Sequence, residues 1–155
     1  MRRAALIAVL LAATFGGACS DDSALTYFDA ALSPDNEVPP RASGASGVAR
    51  MTFDGTTVTY IAIASNLNNY TQGHIHSGAA GVNGPVRVFL LQFQNPALSI
   101  TQGTITEGSF TAADMQGGYD FNTLIEEMRA GTAYVNFHST TYPGGEIRGQ
   151  VRLLN

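Results

Sequence analysis

Apolar and polar side chains alternate one for one in several short runs of this chain, the period of a strand with one face covered. Thr26-Tyr27-Phe28-Asp29-Ala30-Ala31-Leu32 reads as a first strand, ended by the turn residues Ser33-Pro34-Asp35-Asn36. Glu37-Val38-Pro39-Pro40 is extended, since each proline fixes its own φ and disfavours helix in the residue before it. Residues 47–53 alternate, Asp54-Gly55 is a hairpin signal, and residues 57–64 return as a strand that is apolar on both faces from Tyr60 onward. Residues 67–70 make a corner before a strand carrying His74, and a glycine-rich loop then leads to an apolar strand over residues 86–91. Residues 92–96 read as loop, 99–105 as strand and 111–114 as a helix start. Phe121, Leu124, Ile125 and Met128 fall at helical spacing before Gly131, which predicts one amphipathic helix whose stripe packs on the core. Residues 133–138 alternate again, Tyr142-Pro143-Gly144-Gly145 turns the chain, and residues 146–153 form the last strand. About seven or eight short strands with one inserted helix predict an all-β fold, an antiparallel Greek-key-like β-sandwich.

Composition narrows the setting. A chain of 155 residues is one domain by size, and its 45% apolar content suits a packed core. A net charge of −4 supplies no basic patch for phosphates, so nucleic-acid binding is not expected. Met1-Arg2-Arg3 is a charged leader, residues 4–14 are apolar, and Phe15-Gly16-Gly17-Ala18 precedes Cys19, the anatomy of an export signal. Gly17-Ala18-Cys19 resembles the lipobox of bacterial lipoproteins, although Gly16 stands where leucine is more usual. On that resemblance residues 1–18 are a signal peptide, Cys19 carries the lipid anchor, 19–25 are a tether and 26–155 the folded domain. The mature chain then has six arginines against twelve acidic residues, a formal charge of −6, and no cysteine left for an internal disulfide. The expected location is the bacterial cell envelope, outside the cytoplasm.

Candidate chemistry gathers at the three histidines. His74 and His76 lie two apart in Gly73-His74-Ile75-His76-Ser77-Gly78, so they share a strand face about 6.5–7 Å apart. His138 ends the other strand of similar character, with Asn136 on its face. Two imidazoles at that spacing and a third from a neighbouring strand can close on one ion, and imidazole suits zinc and copper. The alternative is a hydrogen-bonded framework that binds nothing. Glu146 and Arg148 share a face of the last strand; they form an ion pair that orients the turn, or Glu146 accepts from the free nitrogen of His138 and fixes its tautomer. Gly78, Gly81 and Gly84 shape a loop. No phosphate-binding loop, no cysteine nucleophile and no serine elbow is present, so ordinary hydrolase chemistry is not supported and no catalytic residue is assigned.

Five ordered motifs carry a family resemblance: residues 28–40 with Asn36-Glu37-Val38-Pro39-Pro40, Gly73-His74-Ile75-His76, Gly81-Val82-Asn83-Gly84-Pro85, Tyr134-Val135-Asn136-Phe137-His138, and Pro143-Gly144-Gly145-Glu146-Ile147-Arg148-Gly149-Gln150. Together they resemble the chordin-type (CHRD) domain, found in animal chordins and in many bacterial exported proteins, over residues 26–153. The order of His74-Ile75-His76, then His138, then Arg148 in a glycine-rich stretch is also similar to copper-zinc superoxide dismutases. That likeness implies three copper ligands, His74, His76 and His138, and an anion-guiding Arg148. The chain departs from it in having no fourth histidine to complete a copper site or bridge to zinc, and no sandwich disulfide. The expectation is a non-enzymatic envelope binding module that holds one copper or zinc ion through these histidines, with Glu146, Arg148 and Asn136 around them, and that meets a protein or glycan partner. A copper-dependent redox enzyme and a metal-free adhesive module are the alternatives.

Overall fold

A computed structural model describes residues 25–154; the expected signal peptide, Cys19 and all but the last residue of the tether lie outside the described residues. The elements are β1 (Thr26–Leu32), β2 (Ser46–Phe53), β3 (Val58–Ser77), β4 (Val86–Leu91), β5 (Leu98–Phe110), α1 (Phe121–Ala130), β6 (Ala133–Ser139), β7 (Ile147–Gln150) and β8 (Arg152–Leu154). The fold is all-β and antiparallel, as the alternation predicts. Eight strands form one sheet in the order β7-β6-β3-β2-β1-β8, with β4 and β5 also paired to β3. Ser33 and Arg148 exchange two backbone hydrogen bonds, 3.0 and 3.2 Å, so the end of β1 meets β7 and the sheet wraps into a nearly closed barrel.

Strand β3 organises all of this. It is 20 residues long, and drawn straight it spans about 66 Å, several times the roughly 15 Å radius of gyration of a domain this size. It therefore bends, at Asn66 (φ 55°) and Asn69 (φ 52°), where asparagine tolerates the left-handed region. The corner expected at residues 67–70 is thus inside one strand rather than between two. Before the bend β3 pairs with β2 and β5, and after it with β4 and β6. The bend also changes which parity faces the core. Val58, Ala62 and Ala64 point inward before it, and Ile75 after it, so His74 and His76 fall on the opposite face from the core.

Two other boundaries differ from the sequence reading. The expected last strand is split at Val151, whose N–H turns to the carbonyl of Ala133 while β8 leaves to pair with β1. The helix start at Thr111 is a single 3-10 turn closed by reciprocal bonds between Thr111 and Asp114. The predicted helix forms as expected. Asp120 caps it by accepting from the Thr123 N–H at 2.7 Å, and Gly131 (φ 70°) ends it. Its stripe of Phe121, Leu124, Ile125 and Met128 is buried, and on its polar side Glu127 accepts from Ser77 Oγ at 2.5 Å, tying the helix to the end of β3. Leu124 is fully buried, and Leu124→Ala is expected to lower unfolding free energy by about 2–5 kcal/mol in urea denaturation.

Candidate metal centre

Register brings the three histidines together. His74 pairs with Asn136 and His76 with Tyr134 across β3 and β6, while His138 pairs with Gln72, one diagonal step away. Cross-strand partners share a face, so His74, His76, Tyr134, Asn136 and His138 form one polar patch on the outer side of the sheet. On β7, Arg148 pairs with Asn136 and Gln150 with Tyr134, which extends that patch by one strand. The inner face of the same strands is apolar: Ile75, Val135, Phe137 and Ile147.

This outer face is nevertheless buried, because segments of loop fold over it. His74, His76 and His138 are at most 7% exposed. The glycine-rich loop after β3 places the Gly84 carbonyl 2.9 Å from His76 Nδ1, and Tyr134 Oη accepts from the Gly84 N–H at 3.1 Å. A Cβ at Gly84 would lie 1.6 Å from the Ser77 carbonyl oxygen, so only glycine lets the loop come this close. Asn83 of that loop donates to the Val38 carbonyl at 3.0 Å and accepts from Arg148 Nη1 at 2.9 Å. From the other side the turn after β6 places the Pro143 carbonyl 2.8 Å from His138 Nδ1.

These contacts fix the proton positions. A carbonyl only accepts, so His76 and His138 carry their protons on Nδ1 and keep lone pairs on Nε2. His138 Nε2 lies 3.1 Å from His74 Nδ1 and accepts from it, which leaves the lone pair on His74 Nε2. The Nε2 atoms of His74 and His76 are buried without any hydrogen-bond partner. The rings pack edge to edge or stack, with His74 and His138 centred 4.8 Å apart and His76 flat against Tyr134 at 4.7 Å. One donor atom from each ring lies within 4.8 Å of the others. Two nitrogens about 2.0–2.1 Å from one ion stand about 2.9–3.5 Å apart, so a pair at the 4.8 Å limit would close by about 1.3 Å.

The surroundings resist a proton. Burial, with the neighbouring imidazoles of His138 and His76, pushes His74 down to about 3. Burial pushes His76 to about 4, with Arg148 and His138 adding to the effect against the Gly84 carbonyl. His138 is also lowered by burial. All three are neutral at pH 7.

The flanking residues do not all sit as expected. Pro143, and not Glu146, holds His138 Nδ1; the Glu146 carboxylate accepts from Ser43 Oγ at 2.6 Å. Arg148 donates to Asn83 and to the Val82 carbonyl instead of pairing with Glu146, and its guanidinium lies over the Tyr134 ring at 4.1 Å. Asn136 donates to Glu37 at 3.4 Å. Glu37, Tyr134 and Phe89 (whose ring meets His74 at 4.6 Å) are parts of the site that the sequence reading did not single out, and Gly84, read as shaping a loop, also holds His76. Glu37 stands in the Asn36-Glu37-Val38-Pro39-Pro40 motif and Gly84 in Gly81-Val82-Asn83-Gly84-Pro85, so motif membership was the available signal. Burial pushes Glu37 up to about 7 against the pull of Arg148 and Arg41.

A pH dependence follows for the metal-free protein. The histidines are lowered on folding, so their stabilising contribution is complete above about 6.5 and is lost as pH falls toward 4 and 3. Glu37 is raised, so its contribution is complete below 4.5 and is lost as pH rises through 7. The two oppose each other between pH 7 and 4.5; below that the histidines act in the same direction as Asp54 and Asp120, whose carboxyls are lowered by backbone hydrogen bonds from Thr56 and Thr123. The urea midpoint is expected to fall most steeply from pH 4.5 to 3, and His74→Gln should flatten the slope; an unchanged slope would reject this assignment.

A family model described as the CHRD domain matches residues 28–151. No curated protein and no solved structure matches the chain, so the likeness to superoxide dismutases rests on the order of its histidine and arginine motifs. The matched segment runs from β1 through Val151 and contains all three histidines and every loop that covers them. The chain belongs to the CHRD domain family.

Proposed function

We propose that this CHRD module binds one transition-metal ion of the copper or zinc class through His74, His76 and His138. The observation that carries this reading is a set of three buried, neutral imidazoles on one sheet face, two of them with Nδ1 held by backbone carbonyls and two with Nε2 left without a partner. A buried acceptor without a partner costs about 1–3 kcal/mol, and an ion among the three rings removes that cost. Backbone carbonyls behind ligand histidines are a common way to set ring orientation and basicity. Asn136, Arg148, Glu37 and Glu146 brace the loops and strands around the rings and do not contribute donor atoms.

The same reading places the module outside the cytoplasm, joined to the membrane by a lipid on Cys19. The charged and apolar leader, with Gly17-Ala18-Cys19 at its end, supports this. The role is that of a binding module of the cell envelope and not of an enzyme.

Two measurements test the two halves. The full-length chain without a histidine tag should take up close to one equivalent of metal, and its melting temperature should rise with metal concentration. Stabilisation of about 2.7 kcal/mol is expected at a hundredfold excess over Kd. His76→Ala and His138→Ala should abolish uptake and the rise; a metal-independent loss of stability in both variants, with no uptake by the parent protein, would make the histidines architectural. Cys19→Ser should release the protein from membranes, and unchanged membrane association would remove the anchor.

A further inference from the structure

The kind of ion is open on this reading, and three features of the surroundings decide it. The donor set is short: among the described residues no cysteine, aspartate or glutamate joins His74, His76 and His138. The walls are closed and aromatic, with the edge of Phe89 against His74 and the face of Tyr134 against His76. A cavity of about 470 Å³ that reaches Glu37 and Arg148 is lined by none of the histidines. A buried positive charge acts on His76. Arg148 is 2% exposed and lies over the Tyr134 ring that stacks on His76. Of the two buried carboxylates on this side, Glu37 accepts from Asn136 and Glu146 from Ser43, and each keeps its second oxygen without a hydrogen-bond partner.

Zinc takes four ligands in closed sites, and where proteins supply three it keeps an open position for water. Cu(II) takes a tetragonal set. Three imidazoles by themselves provide neither, because a fourth ligand would have to be a water seated under the aromatic walls. Monovalent copper is satisfied by two or three donors. Charge points the same way. The cost of taking an ion out of water grows with the square of its charge, so a dication costs about four times a monocation, and three neutral donors beside a buried arginine offset none of it. These effects must outweigh the ordinary preference of nitrogen sites for Cu(II) over other divalent ions, and the missing fourth donor is what lets them. We propose that the three-histidine centre selects Cu(I), held by three nitrogens, over Cu(II) and Zn(II). This rests on the metal reading above and goes beyond it by naming the oxidation state.

The test compares ions on the metal-free, full-length, tag-free protein in detergent. Cu(I) is titrated anaerobically with a reductant against a Cu(I) chelator, and Cu(II) and Zn(II) are titrated against chelators of known affinity. One Cu(I) per chain is expected, at least about a hundredfold tighter than Zn(II), a gap of about 2.7 kcal/mol. X-ray absorption of the Cu(I) form should show three nitrogen neighbours and no fourth ligand. Zn(II) or Cu(II) bound as tightly as Cu(I), with uptake still abolished by His138→Ala, would overturn the selectivity and leave the metal site standing. Uptake of none of the three ions would overturn both. Arg148→Met should narrow the preference for Cu(I) about tenfold or more; since Arg148 also holds the loop through Asn83 and Val82, the comparison on the unmutated protein decides if that variant does not fold.

Discussion

The constraint on which the structure depends is that one strand must serve both halves of the sheet. A straight run of 20 residues does not fit inside a domain of this size, so β3 bends, and two asparagines absorb the bend in the left-handed region. The same bend reverses which side chains face inward. Ala62 and Ala64 serve the core on one side of it and Ile75 on the other. Without that reversal, the side chains at 74 and 76 would point into the core.

Placing three imidazoles on the outer face creates a second problem, since polar rings there would ordinarily stay in water. The chain covers them with loops that carry their own hydrogen-bonding backbone. The Gly84 and Pro143 carbonyls each accept from one ring, and Asn83 links its loop to both Val38 and Arg148. The patch is therefore buried, and it is the burial that keeps the rings neutral. The polar groups behind the rings, Glu37, Asn136, Glu146 and Arg148, are all buried as well. They hold the loops from positions distant in sequence, Ser43 to Glu146 and Asn136 to Glu37 among them.

Family membership and local geometry speak to different questions. The CHRD match covers the barrel and the loops that close over its outer face, and so identifies the module as a unit. What the unit does is argued from the site. Helix α1 and its Glu127 anchor stand on the other side of that division, since their stripe and their contacts belong to packing.

The period-two alternation was enough to place most strands, because a half-buried strand repeats every second residue. The 3.6-residue period marked the helix, whose apolar residues recur at 121, 124, 125 and 128 ahead of Gly131. The His-x-His spacing put two imidazoles on one face, and the character of residues 133–138 named the third histidine's strand. Pairing between distant segments is not written in a local period. Only the tertiary structure joined the segments before and after residue 66 into one strand, broke the last strand at Val151, and set β6 beside β3 so that His138 meets His74. It also gave the Nδ1 of His138 to a backbone carbonyl and not to Glu146. Alternation tells a side chain which face it takes, but the partner it finds there depends on register and on the loops that fold over it.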